Sequence, residues 1–324
     1  MRVMRRSTAT LAPTVSEEAA VAMTNKHRAT SASGLDHNLL PMKLWKKSKA
    51  LGTWDPEAID FSTDREHWLE RFDDRQREAL LHLTTIFLGG EEAATLDLLP
   101  LVRVMAREGR LEEEMYLTAF LWEEAKHVEA FRRWIDAVPQ IQTDLGRFYT
   151  PAFNALFDEL STSMRALLED ISPIAQARAS ATYNMVIEGT LLETGYHGCH
   201  EILEKEDLMP GLREILANLI RDESRHTAYG VFLLSRLVAE HGDPVWEEIV
   251  ARMSELLPMA IALIDEVYEA NEPFPFDLSR EHLAEHATGQ FQKRLMRIAR
   301  ARKQSLQQVL AASGEDAIAT LEDA

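Results

Sequence analysis

At 324 residues with 46% hydrophobic side chains, the chain is long enough for one large helical domain or two smaller ones, and apolar enough for a substantial core. A formal net charge of −18 argues against non-specific affinity for nucleic acid or anionic membranes and leaves small molecules and proteins as partners. The single cysteine, Cys199, excludes an internal disulfide and a cysteine-based zinc site; it fits a reducing, cytoplasmic compartment and an ordinary packing role.

Residues 1–35 are rich in Ala, Ser, Thr and Arg and lack a cleavable apolar core, so they are expected to form a disordered arm, with Met23 as an alternative start. One helical domain is expected over residues 36–312. Trp54-Asp55-Pro56 marks a turn, because the residue before proline is pushed out of the helical region. A helix is expected to follow from about Arg65 to Glu108. Within it Gly89 and Gly90 each cost roughly 1 kcal/mol against alanine, which predicts close packing or a local distortion. Pro100 should kink or divide the later part. Arg110 to Ala137 reads as the next helix, with Pro139 just beyond its end.

Tyr149-Thr150-Pro151 opens a segment running to about Asp170. Ser172 followed by Pro173 is the favoured order for a helix start, and one long helix is expected from there to about Glu206. Pro210-Gly211 separates it from a helix continuing to His241. Gly242-Asp243-Pro244 stops that helix and leads into another from Val245 to Asn271, which Pro258 should bend. Glu272-Pro273-Phe274-Pro275 is a loop, a basic helix spans about Ser279 to Ala312, and residues 313–324 form an acidic tail expected to fray. No run alternates in the manner of a strand, so the fold class is all-α. No run of about 18 apolar residues predicts a transmembrane helix.

Two copies of one short phrase carry the chemistry: Glu123-Glu124-Ala125-Lys126-His127 and Asp222-Glu223-Ser224-Arg225-His226. Residues three apart on a helix share a face, so Glu124 with His127, and Glu223 with His226, can each converge on a metal ion. A repeated Glu-x-x-His is the ligand pattern of a dinuclear carboxylate site in a four-helix bundle, completed by one Glu from each of two further helices. Glu91 and Glu188 supply those. Glu91 precedes Glu124 by 33 residues and Glu188 precedes Glu223 by 35, the spacing that helix, short loop and antiparallel helix need to return to one depth. The two halves are thus a degenerate internal repeat. Glu92 is an alternative to Glu91, and Glu193 to Glu188. Glutamate and histidine suit iron and manganese, whereas dedicated magnesium sites seldom use histidine. Two divalent ions balance four glutamates; oxidation to two trivalent ions would favour a bridging oxide or hydroxide and an exogenous carboxylate. Asp222 and Glu123 are candidates to accept the second ring hydrogen of a ligating histidine, each serving the opposite half, with solvated surface acids as the alternative.

At these residues the chain resembles the ribonucleotide reductase small-subunit-like ligand-binding oxidases of the ferritin-like superfamily. The likeness rests on the stretches 89–97, 124–129, 183–191 and 222–226 and covers most of Lys43 to Arg302. It implies a ferritin-like four-helix bundle core with additional helices. It also implies a manganese/iron centre, or a di-iron one, that activates dioxygen for C–H oxidation. Manganese would be held by Glu91, Glu124 and His127 and iron by Glu188, Glu223 and His226. A long-chain fatty acid, or another hydrophobic small molecule, would reach the metals through its carboxylate, and the protein would be a homodimer.

The family also carries an ether link between a tyrosine and a valine near the site. Tyr183 stands at the tyrosine position and Ala94 at the valine position, three residues after Glu91. Alanine offers only a primary C–H, so the cross-link is expected to be absent or inefficient. Catalytic ribonucleotide reductase small subunits are the nearest competitor. Their radical tyrosine position is Phe131 here, their usual first aspartate is Glu91, and no tyrosine follows Tyr268. Nucleotide reduction is disfavoured, and a non-enzymatic metal-binding ferritin-like protein is the remaining alternative. An apolar tunnel is expected near the centre. Phe87, Phe120, Trp122, Met185 and Leu192 are candidate lining residues, and small residues such as Ala177, Ala181, Gly189 and Gly195 could open space or simply let helices pack closely.

Overall fold

The computed structural model describes residues 27–312. The first 26 residues of the expected arm, including Met23, and the expected acidic tail at 313–324 lie outside them. All regular structure among the described residues is helical, with no strand.

Helix α1, Leu40–Leu51, was not anticipated from the sequence pattern; it carries Pro41 in its first turn and buries Leu40, Met42 and Leu44. The single helix expected over 65–108 is three: α2 (Ser62–Glu70), α3 (Asp74–Asp97) and α4 (Leu99–Arg107). The first break is set by Asp73. Its carboxylate accepts from the Gln76 backbone N–H at 2.8 Å while the Gln76 side chain accepts from the Asp73 N–H at 3.0 Å, a reciprocal cap that starts a new helix. Pro100 sits in the first turn of α4, where its missing N–H is harmless, and makes the second break. Helix α5 runs Leu111–Ala137. Arg28 donates to both carboxylate oxygens of Glu112 on α5 at 3.0 Å, so the chain at the start of the described residues is fastened to the bundle.

Thr150 caps α6 (Pro151–Ala166) and Ser172 caps α7 (Pro173–Ser180). The long helix expected from Pro173 to Glu206 then changes character. Ala181–Leu192 is a π-helix, and α8 resumes over Glu193–Lys205. In the wide segment the Thr190 hydroxyl reaches back five residues to the Met185 carbonyl, and the Glu193 N–H donates to the Glu188 carbonyl. Every residue of it is buried, as expected of a helix that is apolar all round and central to the fold. Such wide turns are uncommon and concentrate at functional sites.

Helix α9 (Pro210–His241) is followed by α10 (Asp243–Ala270), which carries Pro258 internally. The basic helix expected over 279–312 is divided by a short turn at Ala301–Lys303 into α11 (Arg280–Arg300) and α12 (Leu306–Ala312). The four-helix core pairs α3 with α5 and the π-segment with α9, and α5 packs on α9 between them. Gly230 of α9 permits the second pairing: a Cβ there would lie 2.3 Å from the Asn184 Cβ and 2.7 Å from the Met185 Cε. Gly90 faces Leu192 and Phe157 in the same way, so the paired glycines of α3 reflect close packing.

The start of α9 is held from outside its own sequence. Met209 precedes it in a left-handed conformation (φ 46°) and offers no side-chain cap. The buried Asp64 of α2 accepts instead from the backbone N–H groups of Gly211 (2.7 Å) and Leu212 (2.8 Å) and from the Trp134 indole (2.9 Å). One carboxylate thereby ties α2, α5 and α9 together. No described helix is long and apolar enough to cross a membrane.

Candidate metal centre

Six side chains meet between the core helices: Glu91 from α3, Glu124 and His127 from α5, Glu188 from the π-segment, and Glu223 and His226 from α9. All are buried, none more than 3% exposed. They form two overlapping groups whose ligand-type atoms lie within 4.8 Å of one another. Glu91, Glu124, His127 and Glu223 make one; Glu124, Glu188, Glu223 and His226 make the other. Glu124 and Glu223 belong to both, a sharing that chain order did not reveal. Glu92, one residue from Glu91, points to solvent, and Glu193 is drawn into an ion pair with Arg294.

Both imidazoles turn Nδ1 toward the carboxylates. His127 Nδ1 lies 3.2 Å from Glu91 and 3.5 Å from Glu223; His226 Nδ1 lies 2.9 Å from Glu124 and 3.4 Å from Glu223. Their Nε2 atoms face outward to the acids that precede the motif glutamates, and the pairing is crossed. His127 Nε2 is 3.3 Å from Asp222 on α9, and His226 Nε2 is 2.9 Å from Glu123 on α5. Arg225 donates to both Asp222 and Glu123, while Lys126 donates to the Gly52 carbonyl and pairs with Asp222 at 3.4 Å. The bases of the two repeated phrases therefore neutralise the acids of the same phrases. Gly52, at the end of α1, is required here because a Cβ would stand 2.3 Å from Glu123 Oε1.

Several partners were not legible in the sequence. The Trp54 indole donates to Asp222 at 2.8 Å and stacks on His127. Tyr196 donates to Glu91, and Asn184 donates to Glu188 at 3.0 Å. Asn184 sits four residues before Glu188, a spacing that could have flagged it. Trp54 and Tyr196 come from distant segments and left no such mark. The Tyr183 hydroxyl is buried with no hydrogen-bond partner, and Ala94 is fully buried on α3.

The electrostatics follow from four carboxylates in one dry space. Burial, then the charges of Glu91 and Glu223, push Glu124 well above the ordinary carboxylate range, and burial with Glu223 does the same to Glu188. Burial opposes the imidazolium of His226, but the Glu223 charge and the hydrogen bond to Glu123 outweigh it and raise its pKa well above the usual value. Asp222 goes the other way. Burial works against its ionisation, yet His127, Arg225 and Lys126 hold it well below the usual range.

A cavity of about 360 Å³ opens onto Glu223, with Leu44, Leu51, Ala217 and Ile220 on its apolar side and Lys47, Arg221 and Arg294 among its cations. None of the five residues expected to line a tunnel borders this cavity, but Phe87 lines a separate apolar pocket of about 50 Å³ with Leu83, Leu191 and Leu263. Phe120 instead lies flat on His226 at 3.6 Å between ring centroids, and Met185 packs beside Gly230. Phe87 packs edge-on to Tyr196, Leu192 packs on Gly90, and Trp122 is 47% exposed with Lys126 over its ring. The physical reason is that the cavity is bordered largely by α1 and α9, the first of which the sequence pattern did not reveal as a helix.

Residues 41–284 match the family described as ribonucleotide reductase, small chain. Among solved structures, a variant of an R2-like ligand-binding oxidase with an anaerobically reconstituted Mn/Fe cofactor is 37% identical, at a TM-score of 0.78 over 84% of this chain and 98% of its own. The R2-like ligand-binding oxidase from Sulfolobus acidocaldarius is 37% identical, at a TM-score of 0.77 over 88% of this chain and 98% of its own. A further variant, with a non-activated Mn/Mn cofactor, is 36% identical at a TM-score of 0.79 over 84% and 97% of the two chains. With this ferritin-like fold, this buried cluster and these relatives, the chain belongs to the ribonucleotide reductase small chain family and, within it, is an oxidoreductase of the R2-like ligand-binding oxidase group.

Proposed function

We propose that the protein is a dioxygen-using oxidase whose carboxylate cluster holds one manganese and one iron ion, with di-iron as the alternative loading. It would carry out two-electron C–H oxidation beside a bound long-chain fatty acid. The observation that carries this reading is the convergence of Glu91, Glu124, His127, Glu188, Glu223 and His226 with both Glu124 and Glu223 shared. The residues fit such ions. Apart from the contacts of His226 Nδ1 with Glu124 at 2.9 Å and Glu223 at 3.4 Å and of His127 Nδ1 with Glu223 at 3.5 Å, the oxygens of Glu124 and Glu223 and Glu188 Oε1 are buried among other carboxylates without donors of their own. Burying polar atoms unsatisfied is costly, and metal coordination removes the cost. Oxygen-rich ligands with two imidazoles suit manganese and iron, the metals named for the relatives.

Glu91, Glu124 and His127, with Glu223, would hold manganese, and Glu188, Glu223 and His226, with Glu124, would hold iron. When bound, the pair supplies reduction of dioxygen and an oxidant strong enough for an unactivated C–H bond. The chain supplies the rest. Asp222 and Glu123 accept the Nε2 hydrogens of His127 and His226, which leaves each Nδ1 bare toward the cations. Phe120 and Tyr183 wall the His226 side with stacked rings and keep water out. The cavity at Glu223 has a volume within the range of small-molecule sites, and its mixture of apolar and cationic walls suits a fatty acid chain and its carboxylate. A homodimer in the cytoplasm completes the reading, on the family resemblance and the lone cysteine.

Anomalous diffraction at the manganese and iron edges, on crystals grown with both metals, tests the assignment together with mass spectrometry of the extracted ligand. One ion of each kind in the cluster and a co-purified fatty acid are expected; a cluster lacking both elements would refute it. Replacing Asp222 with asparagine is expected to weaken the ion on the Glu91 side about 10- to 100-fold while sparing the Glu188 side, read by metal content under chelator competition. Intact mass and tryptic mapping should show the peptides containing Ala94 and Tyr183 separate after aerobic loading, because the alanine methyl resists hydrogen abstraction; a joined peptide in high yield would contradict this.

A further inference from the structure

Outside the carboxylate cluster, histidines concentrate at one other place. Helix α8 carries His197 and His200 three residues apart, and α11 carries His282 and His286 four apart, so each pair projects from one face of its helix. The two helices pack together, and the four imidazoles line a single pocket of about 310 Å³ with Glu201 and Glu204 at its edge. The rings of His197 and His286 have centroids 5.8 Å apart, and His200 Nδ1 stands 3.9 Å from Glu204 Oε2.

A short relay fixes the state of one ring. Arg294 donates to Gln290 Oε1 at 2.9 Å, which turns the Gln290 amide nitrogen toward His286 Nε2 at 3.1 Å. That ring nitrogen accepts, so His286 is neutral with its proton on Nδ1, and an ion binding at Nε2 would have to displace the Gln290 amide. Burial, and then the charge of Arg294 and the neighbouring histidines, hold His197 and His286 below the ordinary histidine pKa despite the nearby Glu193. The four adjacent imidazoles make a nitrogen-rich donor set, unlike the oxygen-rich cluster in the bundle.

We propose that this pocket between α8 and α11 is a separate binding site for one divalent ion of the zinc class, held by His197 and His286 with His200 and His282. Imidazole donors favour zinc, nickel and copper over manganese, so the chemistry of the two sites differs. As placed, the ring nitrogens do not converge within 4.8 Å. His282 is exposed and His200 half-buried, and both would have to rotate about their side-chain bonds to reach an ion seated between His197 and His286. Occupancy would cross-link α8, which continues from the π-segment, to α11.

The test compares zinc binding by the full-length protein with that of the His282→Ala/His286→Ala variant and of His197→Gln, by calorimetric titration with Zn²⁺ and elemental analysis of the recovered protein. The readout is the difference between proteins, so it does not depend on what the carboxylate cluster holds. The unaltered protein is expected to bind one more equivalent of Zn²⁺ than the double variant. His197→Gln, on the opposite helix, should weaken that equivalent at least tenfold with its manganese and iron content unchanged. Equal zinc stoichiometry in the unaltered protein and the double variant would overturn the proposal, and so would full affinity in His197→Gln, because the ion would then not bridge the two helices.

Discussion

Glu223→Ala is expected to strip both ions from the protein, whereas Glu91→Ala removes one and leaves the other. The asymmetry follows from the sharing of Glu223 between the two ligand groups, while Glu91 belongs to one only. Loss of a histidine's carboxylate partner already costs about 10- to 100-fold in affinity, so loss of a shared ligand should exceed about 100-fold at each position. Oxidase turnover should fall to background in Glu223→Ala. Metal content by elemental analysis, near zero in Glu223→Ala and near one ion per chain in Glu91→Ala, is the direct check. Equal retention in the two variants would remove the sharing from the account. Glu124→Ala, at the other shared position, should reproduce the Glu223→Ala result, which guards against a purely local effect at α9.

The largest effect on stability is expected at a residue with no part in the chemistry. Asp64→Ala deletes three hydrogen bonds in the interior and leaves the Trp134 indole and the Gly211 and Leu212 N–H groups without acceptors. A typical buried hydrogen bond contributes about 1 kcal/mol, a helix cap about the same, and unsatisfied donors add to the loss, so roughly 3 to 4 kcal/mol is expected. Asp64→Asn keeps an acceptor and should lose about half of that. Urea denaturation of metal-free protein measures both, and a change under about 1 kcal/mol in Asp64→Ala would show that α9 starts securely without this tie.

The metal cluster was legible because its signal is redundant. A lone Glu-x-x-His is common by chance, but two with matching acid and base neighbours, preceded by glutamates 33 and 35 residues upstream, fix six residues at once. Helix ends marked by Pro, Gly or a capping residue were equally readable, as at Thr150, Ser172, Pro210 and Gly242. The break at Asp73 was missed although its Asp-x-x-Gln cap is written in the sequence, because apolar periodicity runs on across it. The π-segment left no mark, since its Ala, Val, Ile and Leu read as an ordinary α-helix; in the fold it packs against α9 and α10. Trp54, Tyr196 and Asp64 find their partners through tertiary structure alone. The cavity walls were beyond reach for the same reason: Leu44 and Ile220 are separated by most of the chain and meet only in the folded protein.

The crossed acids give the two halves of the repeat a shared fate. Asp222 belongs to the second phrase yet steadies a histidine of the first, and Glu123 does the converse. Neither phrase can change alone, since a substitution in one is felt by the imidazole of the other. The preference of one position for its metal is therefore partly written in the opposite helix, and redesigning either position means editing both.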